Sequence, residues 1–140
     1  MTTPMLIETT QPTVTAAYRL NTQNPASLQF VSAQVEDCEA VVALFGALHT
    51  YNASLDPHFA LSDGWENILR EQFCASYNDP NMMWLLVKEG NKAIGLLIAG
   101  VHTDSPMFRH RQWIEVQAMY VADSHRSMGI ARSLLNRAYT

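Results

Sequence analysis

A chain of 140 residues is one domain's worth of polypeptide, which excludes a two-domain enzyme. With 48% hydrophobic and 16% charged residues it is neither a disordered chain nor a membrane protein, since no apolar run approaches the roughly 20 residues of a span. The formal charge of −4 argues against nonspecific nucleic-acid binding, which needs a basic face.

Residues 1–26 are rich in Thr, Gln, Asn and Pro and read as an N-terminal arm. They carry no basic segment leading into an apolar core, so no secretory signal is expected and a cytoplasmic location is. Leu28–Ala33 holds the β-formers of a short strand. Glu36, Asp37 and Glu39 crowd a first helical turn, where acids oppose the positive end of the dipole. Val41, Leu44, Phe45, Leu48 and Tyr51 then recur as one helical face. Asp56-Pro57 ends it. Asp63-Gly64-Trp65-Glu66 has the spacing of a capping box with Asp63 as cap, ahead of a stripe of Trp65, Ile68, Leu69 and Phe73.

Met83–Lys88 and Ala93–His102 are apolar, strand-like runs with hairpin residues Glu89–Lys92 between them. Gln112–Val121 alternates: Ile114, Val116, Ala118 and Tyr120 are expected on one face, Trp113, Glu115, Gln117 and Met119 on the other. Ile130, Leu134, Leu135 and Ala138 form a last helix. The order β–α–α–β–β–β–α predicts an α/β (α+β) fold. Cys38 and Cys74 have no metal-ligand spacing and read as reduced thiols. The five histidines show none either, so no metal is expected.

The informative stretch runs from Glu115 to Leu135, where a strand feeds a polar loop that opens a helix. Amides at a helix start lack intrahelical acceptors and favour phosphate. Gly129 lets an anion approach the backbone closely, Ala131 keeps the helix near its support, and Arg126 offers a charged fork. Residues 105–140 carry five basic against two acidic side chains, whereas residues 1–104 carry four against eleven. A small anionic ligand suits that basic quarter.

The segment Met119-Tyr-Val121…His125-Arg126-Ser-Met-Gly129-Ile-Ala131 resembles the acyl-CoA signature of the GCN5-related N-acetyltransferase (GNAT) family, Arg/Gln-x-x-Gly-x-Gly/Ala after a central strand. The likeness extends over residues 28–135. It implies a mixed central sheet with helices on both faces and assigns 27–140 to an acyltransferase domain. It also implies that the amides of Arg126, Ser127, Met128, Gly129, Ile130 and Ala131 hold the coenzyme A pyrophosphate. Backbone groups of Met119 and Val121 would hold the pantetheine arm and acyl oxygen of acetyl-CoA, the cosubstrate. Glu115, four residues before Met119, matches a position where some members carry a general base. Only a neutral amine attacks a thioester, so such a base has work to do. An ordinary solvated strand carboxylate is the alternative. Tyr51, Asp56, His58 and Phe59 fall where the family builds its acceptor pocket, and suit core and loop roles as well.

Members of the family continue past the signature helix with a strand, a helix and a hairpin, which this sequence lacks. An uncovered central strand would need to be paired, by the N-terminal arm or by a second copy, and of these a homodimer is expected. The resulting reading is an acetyl-CoA-dependent N-acetyltransferase acting on a small-molecule or peptide amine in a ternary complex, with neither nucleic acid nor membrane as partner. The alternative is a non-catalytic acyl-CoA-binding or oligomerising remnant of that fold.

Overall fold

The computed structural model describes residues 27–139; the N-terminal arm lies outside the described residues. The sheet grows from a tight hairpin. Strand β2 (Met82–Glu89) and strand β3 (Lys92–Thr103) are joined by Gly90-Asn91 alone, with Gly90 at φ 61°, a left-handed conformation open to glycine at no steric cost. Strand β1 (Leu28–Ser32) pairs with the other edge of β2, and strand β4 (Gln112–Val121) with the other edge of β3. The order is β1-β2-β3-β4.

Two helices fill the connection from β1 to β2: α1 (Cys38–Leu55), entered through a 3-10 turn at Val35–Asp37, and α2 (Trp65–Ser76). A third, α3 (Ile130–Ala138), follows β4 after a 3-10 turn at Asp123–His125. The α/β class and the element order are those expected. One detail differs. Every pairing among the described residues is antiparallel, where a mixed sheet was expected, because each connection returns the chain in the opposite sense. Among the described residues no strand pairs with β4 beyond β3, which leaves one side of it uncovered, as expected.

Strand alternation divides the core in two. Trp84, Leu86, Leu96, Ile98 and Ala118 face α1 and α2, meeting Val41, Leu44, Leu69 and Phe73. Leu85, Val87, Leu97 and Val121 face α3, meeting Ile130, Leu134 and Ala138. Helices therefore cover both faces. Phe73 meets Trp84 edge-on at 5.2 Å, and Trp84 Nε1 donates to Ser76 Oγ at 3.0 Å, which satisfies the buried indole.

The helical stripes overreach at their ends. Tyr51 is 53% and Ile68 51% exposed: α1 buries only Val41, Val42 and Leu44, near its start, and α2 only Leu69 and Phe73. The cap of α2 is Gly64, at φ 80°, and not Asp63; Trp65 N–H donates to Ser62 C=O at 3.2 Å instead. The start of α1 is tied more firmly. Gln34 N–H donates to Asp37 Oδ2 at 2.8 Å, and Lys88 Nζ of β2 reaches Asp37 Oδ1 at 2.7 Å. Burial alone would raise the Asp37 pKa, but the Gln34 amide and Lys88 together hold it below its ordinary value. No helix of the described residues is long and apolar enough to cross a membrane.

Candidate active site

The loop between β4 and α3 presents a row of free amides. Ser133 N–H donates to Gly129 C=O at 3.1 Å, the first hydrogen bond of α3. From Ser127 to Arg132, no backbone N–H has an acceptor among the described residues. Ser127 and Gly129 sit at φ 67° and 77°, both left-handed. For serine that conformation costs about 1–3 kcal/mol, and left-handed residues of this kind occur in backbone nests that bind anions. The first turn of α3 holds no acidic residue, and Arg132 lies in it against the dipole. By contrast, the first turns of α1 and α2 hold Glu39 and Glu66. An external anion would relieve that mismatch.

Arg126 is anchored rather than free. Its Nε donates to Val121 C=O at 2.9 Å, its Nη1 pairs with Asp123 Oδ1 at 2.9 Å, and its guanidinium lies 5.6 Å from the centre of the Tyr120 ring. Next to it His125, 12% exposed, pairs through Nε2 with Glu89 Oε1 at 3.0 Å. These contacts pin the loop to the end of β4 and to the β2–β3 hairpin. Ile130 turns its side chain into the core, so its contribution to the loop is its amide; Met128 is exposed and Ala131 half-buried.

Backbone direction along β4 follows from one bond. Ala122 N–H donates to Ile94 C=O at 2.8 Å, toward β3. Alternation then turns the N–H and C=O of Val121 and Met119 to the outer edge, and the Arg126–Val121 bond lies on that edge. The two residues named for backbone contacts therefore point their polar groups to the same side as the amide loop.

Glu115 stands differently from expectation. In the β3–β4 ladder Ile98 faces Ala118 and Ala99 faces Val116, so Gln117 is an extra residue, a bulge. The bulge reverses the alternation before it. Val116 packs with Met119 on the α3 side, not with Ala118 and Tyr120. Glu115 opposes Gly100, and a Cβ on Gly100 would meet Met82 Sδ and Gln117 Nε2. Directly opposed residues share a face. Glu115 therefore shares the α1–α2 face with Ala118 and Tyr120, where the opposite face was expected. It is also exposed rather than buried, with no hydrogen-bond partner among the described residues.

On the same face lies a pocket of about 540 Å³. Phe45, Leu69, Met82, Trp84 and Ile98 make its apolar wall. His49, Gln72, Ser76 and Gln117 supply its polar groups. His49 Nδ1 is buried without a partner, and burial pushes the imidazole pKa below its ordinary value.

Comparison with known proteins fits this geometry. The profile of the Acetyltransferase (GNAT) family matches residues 41–140. The chain belongs to that family. No curated protein matches it. Among solved structures, an aminoglycoside 6'-N-acetyltransferase from Acinetobacter haemolyticus superposes with a TM-score of 0.62 at 18% identity, over 79% of this chain and 68% of that one. A predicted acetyltransferase from Clostridium acetobutylicum, solved with acetyl-CoA, gives 0.64 at 16% identity, over 79% and 70%. A ribosomal-protein-alanine N-acetyltransferase from Brucella melitensis biovar Abortus 2308 gives 0.55 at 16%, over 79% and 67%. At these identities the likeness is one of fold.

For a GNAT domain, the structure brings together Met119, Val121 and residues 126–131 at one corner, with Glu115 further back along the same strand. It does not bring Tyr51, Asp56, His58 and Phe59 to the pocket. Asp56 and His58 are spent on each other, with Asp56 Oδ1 2.9 Å from His58 Nδ1. The pocket residues that sequence reasoning missed are Phe45, His49 and Gln117. The i, i+4 spacing of Phe45 and His49 put both on the sheet-facing side of α1. Nothing in the sequence marked Gln117 as a bulge.

Proposed function

We propose that this GNAT domain transfers the acetyl group of acetyl-CoA to an amine. The carrying observation is the run of unpartnered amides from Ser127 to Arg132 beside the outward edge of Met119 and Val121. In this reading the amides of residues 127–131 hold the pyrophosphate, the expected Arg126 amide being taken by Asp123 C=O at 3.4 Å, and the Met119 and Val121 backbone aligns the pantetheine arm. A donor on that edge polarises the acyl carbonyl where negative charge develops. The acceptor nitrogen attacks the thioester carbon directly in a ternary complex. Glu115 takes the proton from the ammonium before attack, the thiolate leaves with the electron pair of the C–S bond, and it takes up the second proton that the nitrogen loses as the amide forms. The exposure of Glu115 suits relay through water.

The acceptor is a small-molecule or peptide amine, the setting is cytoplasmic, and the edge of β4 pairs with a second copy in a homodimer. Release of free thiol from acetyl-CoA, assayed over a panel of amines, tests the activity. Intersecting initial-velocity lines support the ternary complex, and parallel lines reject it. Light scattering tests the dimer, and a monomer at micromolar concentration removes it. A second reading, acyl-CoA binding without turnover, draws on the uncovered edge of β4 among the described residues. Calorimetric binding of acetyl-CoA with no thiol release across the panel would select it.

A further inference from the structure

We infer that the pocket between α1, α2 and the sheet receives a neutral apolar group, such as an aromatic ring, carried by an amine whose ammonium lies toward Glu115. The inference rests on the acyltransferase reading for the word acceptor, but its chemistry comes from the pocket itself.

Among the residues lining the pocket none is a carboxylate, and the single titratable one is His49. Burial pushes its imidazole pKa below the ordinary value and so disfavours the charged form. The wall is two aromatic rings, Phe45 and Trp84, with Leu69, Met82 and Ile98. Such a wall gains by covering apolar surface and offers a buried cation no counter-charge. A polycation needs several carboxylates, and this pocket supplies none. With Nδ1 sealed from solvent, His49 meets the pocket through its other edge, which carries Nε2. That edge and the Gln117 amide can orient one polar atom on the occupant.

The negative charge stands outside the apolar wall, on the strand. Glu115 opposes Gly100, and the bare Cα of Gly100 is flanked by the pocket residues Met82 and Gln117. An amine with its apolar end among Phe45, Trp84 and Ile98 places its ammonium by this route near Glu115 and the β4 edge. The Gln117 bulge is what makes this geometry. Without it, Glu115 would sit on the α3 face, away from the pocket.

The test uses the full 140-residue chain without acyl-CoA. Titrate 2-phenylethylamine and, separately, spermidine, following the His49 ring and Met82 methyl resonances by NMR. We expect saturable shifts at both residues with 2-phenylethylamine and none with spermidine. Ala75→Phe, at an exposed position lining the pocket, should weaken 2-phenylethylamine at least tenfold with an unchanged fold by circular dichroism. Glu115→Gln should weaken 2-phenylethylamine but leave 2-phenylethanol unaffected. Absence of shifts with millimolar 2-phenylethylamine overturns the inference, as do shifts from spermidine of equal size. Acetyl-CoA binding, read by calorimetry, separates the two claims. Aryl-amine binding with no acetyl-CoA binding removes the role of acceptor and keeps the pocket's chemistry. Acetyl-CoA binding with no aryl-amine binding keeps the acyltransferase reading and removes this one.

Discussion

The two halves of β4 do different work. From Ala118 to Val121 the strand alternates regularly, its side chains are largely in the core, and the role we propose for it is carried by the backbone. From Gln112 to Gln117 it is mostly exposed, a bulge reverses its faces, and any function it has is carried by side chains. A backbone site needs only the right ladder and a free edge, so it tolerates many side chains. A side-chain site depends on which way each residue points, and one extra residue reverses that.

Four measurements would break or sharpen the contrast. The largest effect should come from Glu115→Gln in the exposed half: kcat falls about a hundredfold, the usual scale of a lost general base, while acetyl-CoA affinity is unchanged. A variant with full turnover would leave Glu115 an ordinary strand carboxylate. In the backbone-driven region, Gly129→Val should weaken acetyl-CoA about thirtyfold by calorimetry. A β-branched residue at φ 77° costs roughly 1–2 kcal/mol, and since a Cβ there meets nothing within 4 Å the effect comes through the displaced loop backbone. Wild-type affinity in that variant would exclude the loop as the pyrophosphate site.

Arg126→Ala should weaken acetyl-CoA about tenfold, since it removes the bond to Val121 C=O that shapes the edge. Arg126→Lys should restore little of it, because a lysine cannot reach Val121 and Asp123 with one rigid fork. Equal affinity in all three proteins would separate Arg126 from binding.

The smallest effect concerns Asp37, remote from both halves. Its folded pKa lies below the ordinary 3.8, so the ionised carboxylate stabilises the fold above about pH 4. That contribution is lost as pH falls through the lower, folded value. Asp37→Asn should cost about 1 kcal/mol at neutral pH and flatten the denaturation curve below pH 4. An unchanged acid limb would show that the Lys88 pair contributes nothing.

Much of the corner was legible because its signals are local. A strand, a polar loop with Gly129, and a helix stripe of Ile130, Leu134 and Ala138 specify their own geometry within some twenty residues. Capping was less legible: Asp63 matched a capping pattern, yet the chain turns through Gly64. The acceptor side was least legible. Its pocket joins α1, α2, β2, β3 and β4, and no single segment carries the pattern.

The sequence by itself determined the class, the order of elements and the apolar helix stripes, and it marked the loop that we propose as the anion-binding corner. These depend on periodicity and on local backbone chemistry, which act over a few residues. Only the tertiary structure decided that the described pairings are all antiparallel, that Glu115 shares a face with Ala118, and that His49 Nδ1 is buried. Each of these depends on a ladder or a packing surface shared with residues distant in the chain. A bulge in particular is a mismatch between two strands, so it belongs to the pair and cannot be read from either strand alone.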